Sequence, residues 1–333
     1  MIAPFPWFGG KSRAAPLIWS ALGDVPNFVE PFAGSLACLL ARPGGAGHTE
    51  TVNDADGFLS NFWRAVAADP DAVAAAADWP VNETDLSARH LWLVGEREAL
   101  TARLQVDPDH YDAKIAGWWV WGICSWIGSG WCSGEGPWTS DGERWLDRRD
   151  GNAGRGINRK LPHLGDAGMG INRQLPHLGS AGRGIADLFV PLSERLRRVR
   201  VACGDWRRVI GDSVTVKHGT TGVLLDPPYT DGFDAVGGCY SAGGGADVWH
   251  DAATWARDAG VDRRLRIVLC GYDGAWETPS GWRCVPWKAR GGYGSAGAAS
   301  GENSARERLW LSPGCLDIAE VRGVQHSLFG AAK

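Results

Sequence analysis

The sequence predicts an α/β fold built on a mostly parallel, doubly wound sheet. Short apolar runs alternate with helical patterns along much of the chain. Several of those runs end in an acid or a small-residue turn, at Glu30, Asp54, Asp205 and Asp226. At 333 residues the chain has room for one large α/β domain with an insertion, or for two domains.

In chain order, residues 27–30 read as a buried strand, 31–35 as a tight turn and 36–40 as the start of a helix. Residues 50–54 form a strand ending in an acid. Helical patterns follow over 58–68, 71–78 and 85–104, the last with Leu91, Val94 and Leu100 on one face. A Trp-rich helix is expected over 111–123. From 125 to 186 regular structure fades into Gly and polar residues. There, residues 153–166 and 167–180 are repeats identical at 11 of 14 positions, and a third unit begins at 181. Each is too short for a solenoid core, so an extended loop or ribbon is expected. Residues 188–198 look helical, 200–203 form a strand, and a helix should start over 206–210. Strands are expected at 222–225 and 266–270, a loop over 291–301, and a last strand at 308–311 closing the sheet.

Composition excludes several function classes. The apolar fraction of 44% and charged fraction of 22% are ordinary for a globular protein. A formal net charge of −4 argues against a generic polyanion binder. Residues 141–208, however, hold 14 basic and 8 acidic side chains, which suggests a local nucleic-acid surface in an acidic chain. Eight Cys without a CxxC pair fit free thiols rather than a disulfide framework or metal cluster. His163 and His177 lack a companion ligand set, so no metal is expected. Pro4 and Pro6 interrupt any leader-like opening, and no run of about 18 apolar residues predicts a membrane span. Trp118, Trp119, Trp121, Trp126, Trp131 and Trp138 are expected to serve packing rather than base stacking.

The residues best placed for chemistry are Asp226-Pro227-Pro228-Tyr229, at the end of an apolar strand. Asp226 can accept one N–H of an exocyclic amine, the Pro227 carbonyl can accept the other, and Tyr229 offers a ring to a planar base. Both prolines stiffen the turn, and Pro228 holds Pro227 extended. Glu30-Pro31-Phe32-Ala33-Gly34 is a turn whose small residues let the backbone approach a ligand. Asp54, about 20 residues on, is spaced to meet ribose hydroxyls.

With Trp7-Phe8-Gly9-Gly10-Lys11 and Asn53-Asp54-Ala55-Asp56, these motifs stand in the order of the Dam-like, D12-class N6-adenine DNA methyltransferases. The chain resembles that family over about its first 65 residues and from roughly 199 to 311. The middle is similar only to some phage-type members. The resemblance implies a Rossmann-like class I methyltransferase that uses S-adenosyl-L-methionine and double-stranded DNA. It implies that Trp7, Gly10 and Lys11 lie beside the cofactor and target base. Residues Glu30, Pro31, Phe32, Ala33 and Gly34 would hold the methionine part, Asp54 the ribose and Asp205 the adenine. Many relatives carry glycine where Leu36 stands, and Leu36 is expected to tighten the pocket.

The implied organisation is a catalytic domain of residues 1–68 and 199–320, a recognition insert of 69–198 and a tail of 321–333. Within the insert, Arg155, Arg159, Lys160, Arg173 and Arg183 are expected to grip phosphate or read guanine, and Asn158 to read adenine. The target adenine would be flipped out of the duplex. The expected setting is the cytoplasm of a bacterial or phage-infected host cell, with the protein a monomer. Cytosine N4 or RNA as substrate, and a catalytically inactive DNA-binding relative, are the alternatives.

Overall fold

Runs of buried aliphatic residues assemble a seven-stranded sheet. The computed structural model describes residues 1–7, 9–126, 131–132, 138–140, 145–147, 184–229, 245–287 and 306–318. Its strands are β1 (Asn27–Glu30), β2 (Thr49–Asp54), β3 (Trp138–Ser140), β4 (Trp145–Asp147), β5 (Val199–Cys203), β6 (Thr221–Leu225), β7 (Leu265–Tyr272), β8 (Arg283–Pro286) and β9 (Glu307–Leu311). The main sheet runs β5-β2-β1-β6-β7-β9-β8. The five strands from β5 to β7 are mutually parallel, and β9 alone runs against its neighbours. β1 and β6 are buried along their whole length, as central strands covered on both faces must be. This is a mixed α/β, Rossmann-like fold. Strand order reverses between β1 and β6, which makes the carboxyl ends of those two strands the natural ligand crevice.

The described helices are α1 (Ala15–Leu22), α2 (Ala37–Leu40), α3 (Gly57–Ala68), α4 (Pro70–Ala77), α5 (Glu83–Val106), α6 (Ala113–Ser125), α7 (Ile185–Leu196) and α8 (Gly245–Ala259). Their starts are written in short polar side chains. Asp56, Asp69, Asn82 and Asp112 accept backbone N–H groups at the heads of α3, α4, α5 and α6. Asp112 explains why the Trp-rich helix begins at Ala113 rather than Tyr111. α4 and α6 pack on each other, α6 and α7 also pack on α3, and α7 packs on α4. Trp119 and Trp121 are buried there, while Trp118, Trp126 and Trp131 pack against the same core.

Three expectations about elements are corrected. β9 does not close the sheet, because β8 pairs with its outer side and forms the edge. Residues 206–209 make a single 3-10 turn instead of a helix, headed by Asp205, whose Oδ1 accepts the Arg207 N–H at 2.8 Å. Within 125–186 the antiparallel pair β3–β4 interrupts the irregular stretch. The loop expected over 291–301 and the 14-residue repeats lie outside the described residues.

A buried ion triad locks α7 to the sheet. Glu50 on β2 meets Arg195 of α7 at 2.6 and 2.8 Å, and Arg42 at 3.1 Å. Arg195 also donates to the Leu39 carbonyl at 2.9 Å, and Arg42 to that of Val25. On α7 as well, Ser193 Oγ donates to the Ala67 carbonyl, near the end of α3, at 3.1 Å. The chain's departure from the sheet region and its return are thus fastened side by side.

Candidate active site

Four strand ends and one N-terminal segment converge on a single cleft. β1 delivers Glu30, Pro31, Phe32, Ala33 and Gly34; β2 delivers Asn53 and Asp54; β5 delivers Gly204 and Asp205; β6 delivers Asp226. Trp7, Gly10 and Lys11 line the same cleft. The structure therefore brings together all ten residues expected beside the cofactor. Asp226 and Pro228 also line it, whereas the buried Pro227 and the half-buried Tyr229 do not. Arg155, Asn158, Arg159, Lys160, Arg173 and Arg183 lie outside the described residues.

Asn53 ties the strand ends to one another. Its Nδ2 donates to the carbonyls of Pro31 at 3.1 Å and Gly204 at 2.9 Å, while its own carbonyl accepts from Ala33 N–H at 2.9 Å. Asp54 braces the turn from below. Its carboxylate accepts the N–H of Gly34 at 3.0 Å and that of Asp56 at 2.9 Å. Gly34 has φ +48°, and a Cβ there would lie 2.7 Å from Trp7 Nε1, so only glycine lets the indole close over the turn.

Leu36 corrects a sequence expectation. It also adopts a left-handed conformation, φ +54°, which explains why glycine suits the position. Its side chain, however, is fully buried in the hydrophobic core and does not line the cleft. It therefore does not tighten the pocket.

The cleft wall around Asp205 is aromatic. Phe32 and Trp206 rings lie 5.6 Å apart at 35°, and Val248 of α8 joins them in lining the space. Asp205 itself is engaged by Arg207 through Oδ2 at 3.1 Å, and Arg207 also pairs with Asp251 of α8.

At the other end, Lys11 Nζ sits 2.9 Å from Asp226 Oδ1 and donates to the Gly9 carbonyl at 2.9 Å. Tyr229 Oη is 3.1 Å from the same Asp226 oxygen and 3.1 Å from Glu307 Oε2. Among the described residues no donor reaches Asp226 Oδ2. The Tyr229 ring meets Tyr272 edge-on, with centroids 4.7 Å apart, and Lys11 Nζ lies 5.2 Å from its centre.

Burial sets the electrostatics. It works against the Lys11 ammonium, yet Asp226 at 2.9 Å outweighs that loss and holds the lysine pKa above its ordinary value. Burial pushes the Asp54 carboxyl up to about 6, although backbone N–H donors partly oppose it. Glu30 is pushed well above the usual carboxylate range by burial and by the nearby Asp226. Its Oε2 is buried with no hydrogen-bond partner.

Sequence reasoning missed Glu307, the clamp made by Asn53 and the pairing of Phe32 with Trp206. Glu307 carried a signal, since it shares the strand face of Leu309 and Leu311, where an acid is out of place. Nothing local announced that Asn53 would reach two other strand ends.

The family model of the D12 class N6 adenine-specific DNA methyltransferases matches residues 7–89. Over those residues the chain is similar to this Dam-like class. The match covers the N-terminal segment, β1, β2 and the turns that hold Asp54, and ends within α5, so the likeness at Asp226–Tyr229 rests on those residues themselves. No curated protein matches the chain. The match over residues 7–89 supports adenine methylation in DNA as the general activity. Among the described residues no helix is long and apolar enough to cross a membrane, and no group of three His, Cys, Asp or Glu is placed to hold a metal ion.

Proposed function

We propose that this D12-class protein transfers a methyl group from S-adenosyl-L-methionine to N6 of adenine in double-stranded DNA. One observation carries the reading. Asp226 lines the cleft at the switch point of the sheet with Oδ1 fixed by Lys11 and Tyr229, which leaves Oδ2 to accept an amine N–H.

The cleft suits the cofactor. The unpartnered Glu30 Oε2 fits its ammonium group, Asp54 fits ribose hydroxyls, and the Phe32–Trp206 wall fits a flat purine. When bound, S-adenosyl-L-methionine supplies a sulfonium methyl for direct transfer. The chain's own part is electrostatic. Asp226 and the Pro227 carbonyl accept the two N–H groups of the adenine amine, whose lone pair is otherwise delocalised into the ring. They stabilise positive charge as it grows on nitrogen. The adenine must leave the duplex to reach them, and stacking on Tyr229 offsets about 1–3 kcal/mol of that cost.

In the same proposal residues 1–68 and 199–320 form the catalytic unit and 69–198 the recognition insert. Arg155, Asn158, Arg159, Lys160, Arg173 and Arg183 supply its DNA contacts. The test is chemical. Purified protein, labelled cofactor and unmethylated genomic DNA are combined, and the DNA is digested to nucleosides. Label in N6-methyldeoxyadenosine is expected; label in N4-methyldeoxycytidine, or in RNA alone, overturns the proposal.

Cofactor affinity should also depend on pH through Asp54. Ribose hydroxyls donate to the ionised carboxylate, so binding favours loss of the proton. With Asp54 titrating at about 6 in the free protein, affinity is full above that pH and falls by about tenfold per unit below it. Calorimetric titration between pH 5 and 8 checks this. Asp54→Asn should bind more weakly and lose the acid limb; a limb that persists belongs to another group.

A further inference from the structure

The hydrogen-bond arithmetic around Tyr229 does not close with two carboxylates. Its hydroxyl lies 3.1 Å from Asp226 Oδ1 and 3.1 Å from Glu307 Oε2, but a phenol has one proton to give. If both acids were ionised, one of the two contacts would set oxygen lone pairs against each other. Asp226 has a cation, Lys11, at 2.9 Å. Glu307 is buried and, among the described residues, has no cation within ion-pair distance. The stray proton therefore belongs on Glu307.

We propose that Glu307 is a positioning residue, protonated in the free protein, that donates to the Tyr229 oxygen so that Tyr229 in turn donates to Asp226. The chain of donors runs one way, from Glu307 through Tyr229 to Asp226 Oδ1, where Lys11 meets it. The arrangement leaves a single negative charge at the site of amine binding, on Asp226. It also tethers the Tyr229 hydroxyl at two points, which fixes the ring that receives the base. The groups facing Glu307 are Lys11 from the N-terminal segment, Asp226 and Tyr229 after β6, and Cys270 and Tyr272 of β7. Burial of Glu307 and the charge on Asp226 both favour its neutral form, and only Lys11 and the Tyr229 bond oppose this.

This inference rests on the methyltransferase reading, and its test separates the two. Wild type, Glu307→Ala and Glu307→Gln are compared on unmethylated DNA. Glu307→Ala is expected to lower kcat by roughly tenfold to a hundredfold, as loosened placement does, with the cofactor Kd unchanged. Glu307→Gln keeps an N–H donor and should recover most of that loss. The wild-type rate should fall as alkali ionises Glu307, and that limb should vanish in Glu307→Gln. A second measurement needs no activity. Infrared difference spectra at neutral pH should show a protonated carboxyl band in wild type that Glu307→Gln lacks. Wild type that methylates nothing defeats the methyltransferase reading, and the band then decides the proton alone. Active wild type with Glu307→Gln as poor as Glu307→Ala, an unaltered Glu307→Ala, or no such band overturns the role of Glu307.

Discussion

Replacing Asp226 with Ala or Asn is expected to abolish methyl transfer while leaving cofactor affinity within about threefold of the parent. The loss should be roughly 10²–10³-fold or more, the range seen when a fixed group that stabilises transition-state charge is removed. Two donors now aimed at Oδ1, from Lys11 and Tyr229, would face a neutral or missing group. The turn that carries Glu30 and Gly34, the Asp54 carboxylate and the Phe32–Trp206 wall are built by other strands and stay intact. Asp226→Asn guards against misfolding, because it keeps the side-chain volume over the buried Lys11. Single-turnover transfer and calorimetric cofactor binding, measured on the same preparations, check this. Parallel loss of both would show that Asp226 builds the cofactor site instead.

Glu50→Ala should be the most damaging single change away from the cleft. It leaves two guanidinium groups, Arg42 and Arg195, with side chains 0% and 6% exposed, and among the described residues only the exposed Asp24, 3.7 Å from Arg42, as a counter-charge. Breaking a buried ion pair by removing one partner costs about 3–5 kcal/mol, and here one acid serves two cations. The midpoint of urea unfolding should fall accordingly. The triple change Glu50→Leu, Arg42→Met and Arg195→Met should recover much of the loss, since apolar groups of similar volume pack without desolvated charge. A Glu50→Ala midpoint equal to the parent's would mean that water or a rearranged partner already serves the arginines.

The parts of this fold that were legible in the sequence are those with local causes. β1, β2, β5 and β6 showed as short runs ending in or just before Glu30, Asp54, Asp205 and Asp226; β1 and β6 are the two buried throughout, while β2 holds Glu50 within it and β5 is a partly exposed edge. α3 and α5 showed as helical runs, but the face expected at Leu91, Val94 and Leu100 is corrected: α5 buries Leu86, Leu93, Leu100 and Leu104, and Leu91 and Val94 are only half-buried. β8, four residues long and half exposed, had too little pattern to register, and its place outside β9 is a matter of long-range pairing. The same division holds at the site. The turn at 30–34 and the tetrapeptide at 226–229 were readable, but that Glu307 would meet Tyr229 from 78 residues away was not. Leu36 was misread because its side chain is buried in the core on a left-handed backbone, a placement that residue type alone does not disclose.

The bond from Ser193 to the Ala67 carbonyl, beside the Arg195–Glu50 pair, has an evolutionary consequence. It makes the excursion between α3 and β5 a loop with both feet nailed to one floor. A change in chain length between those two points can then leave β2 and β5 where they are.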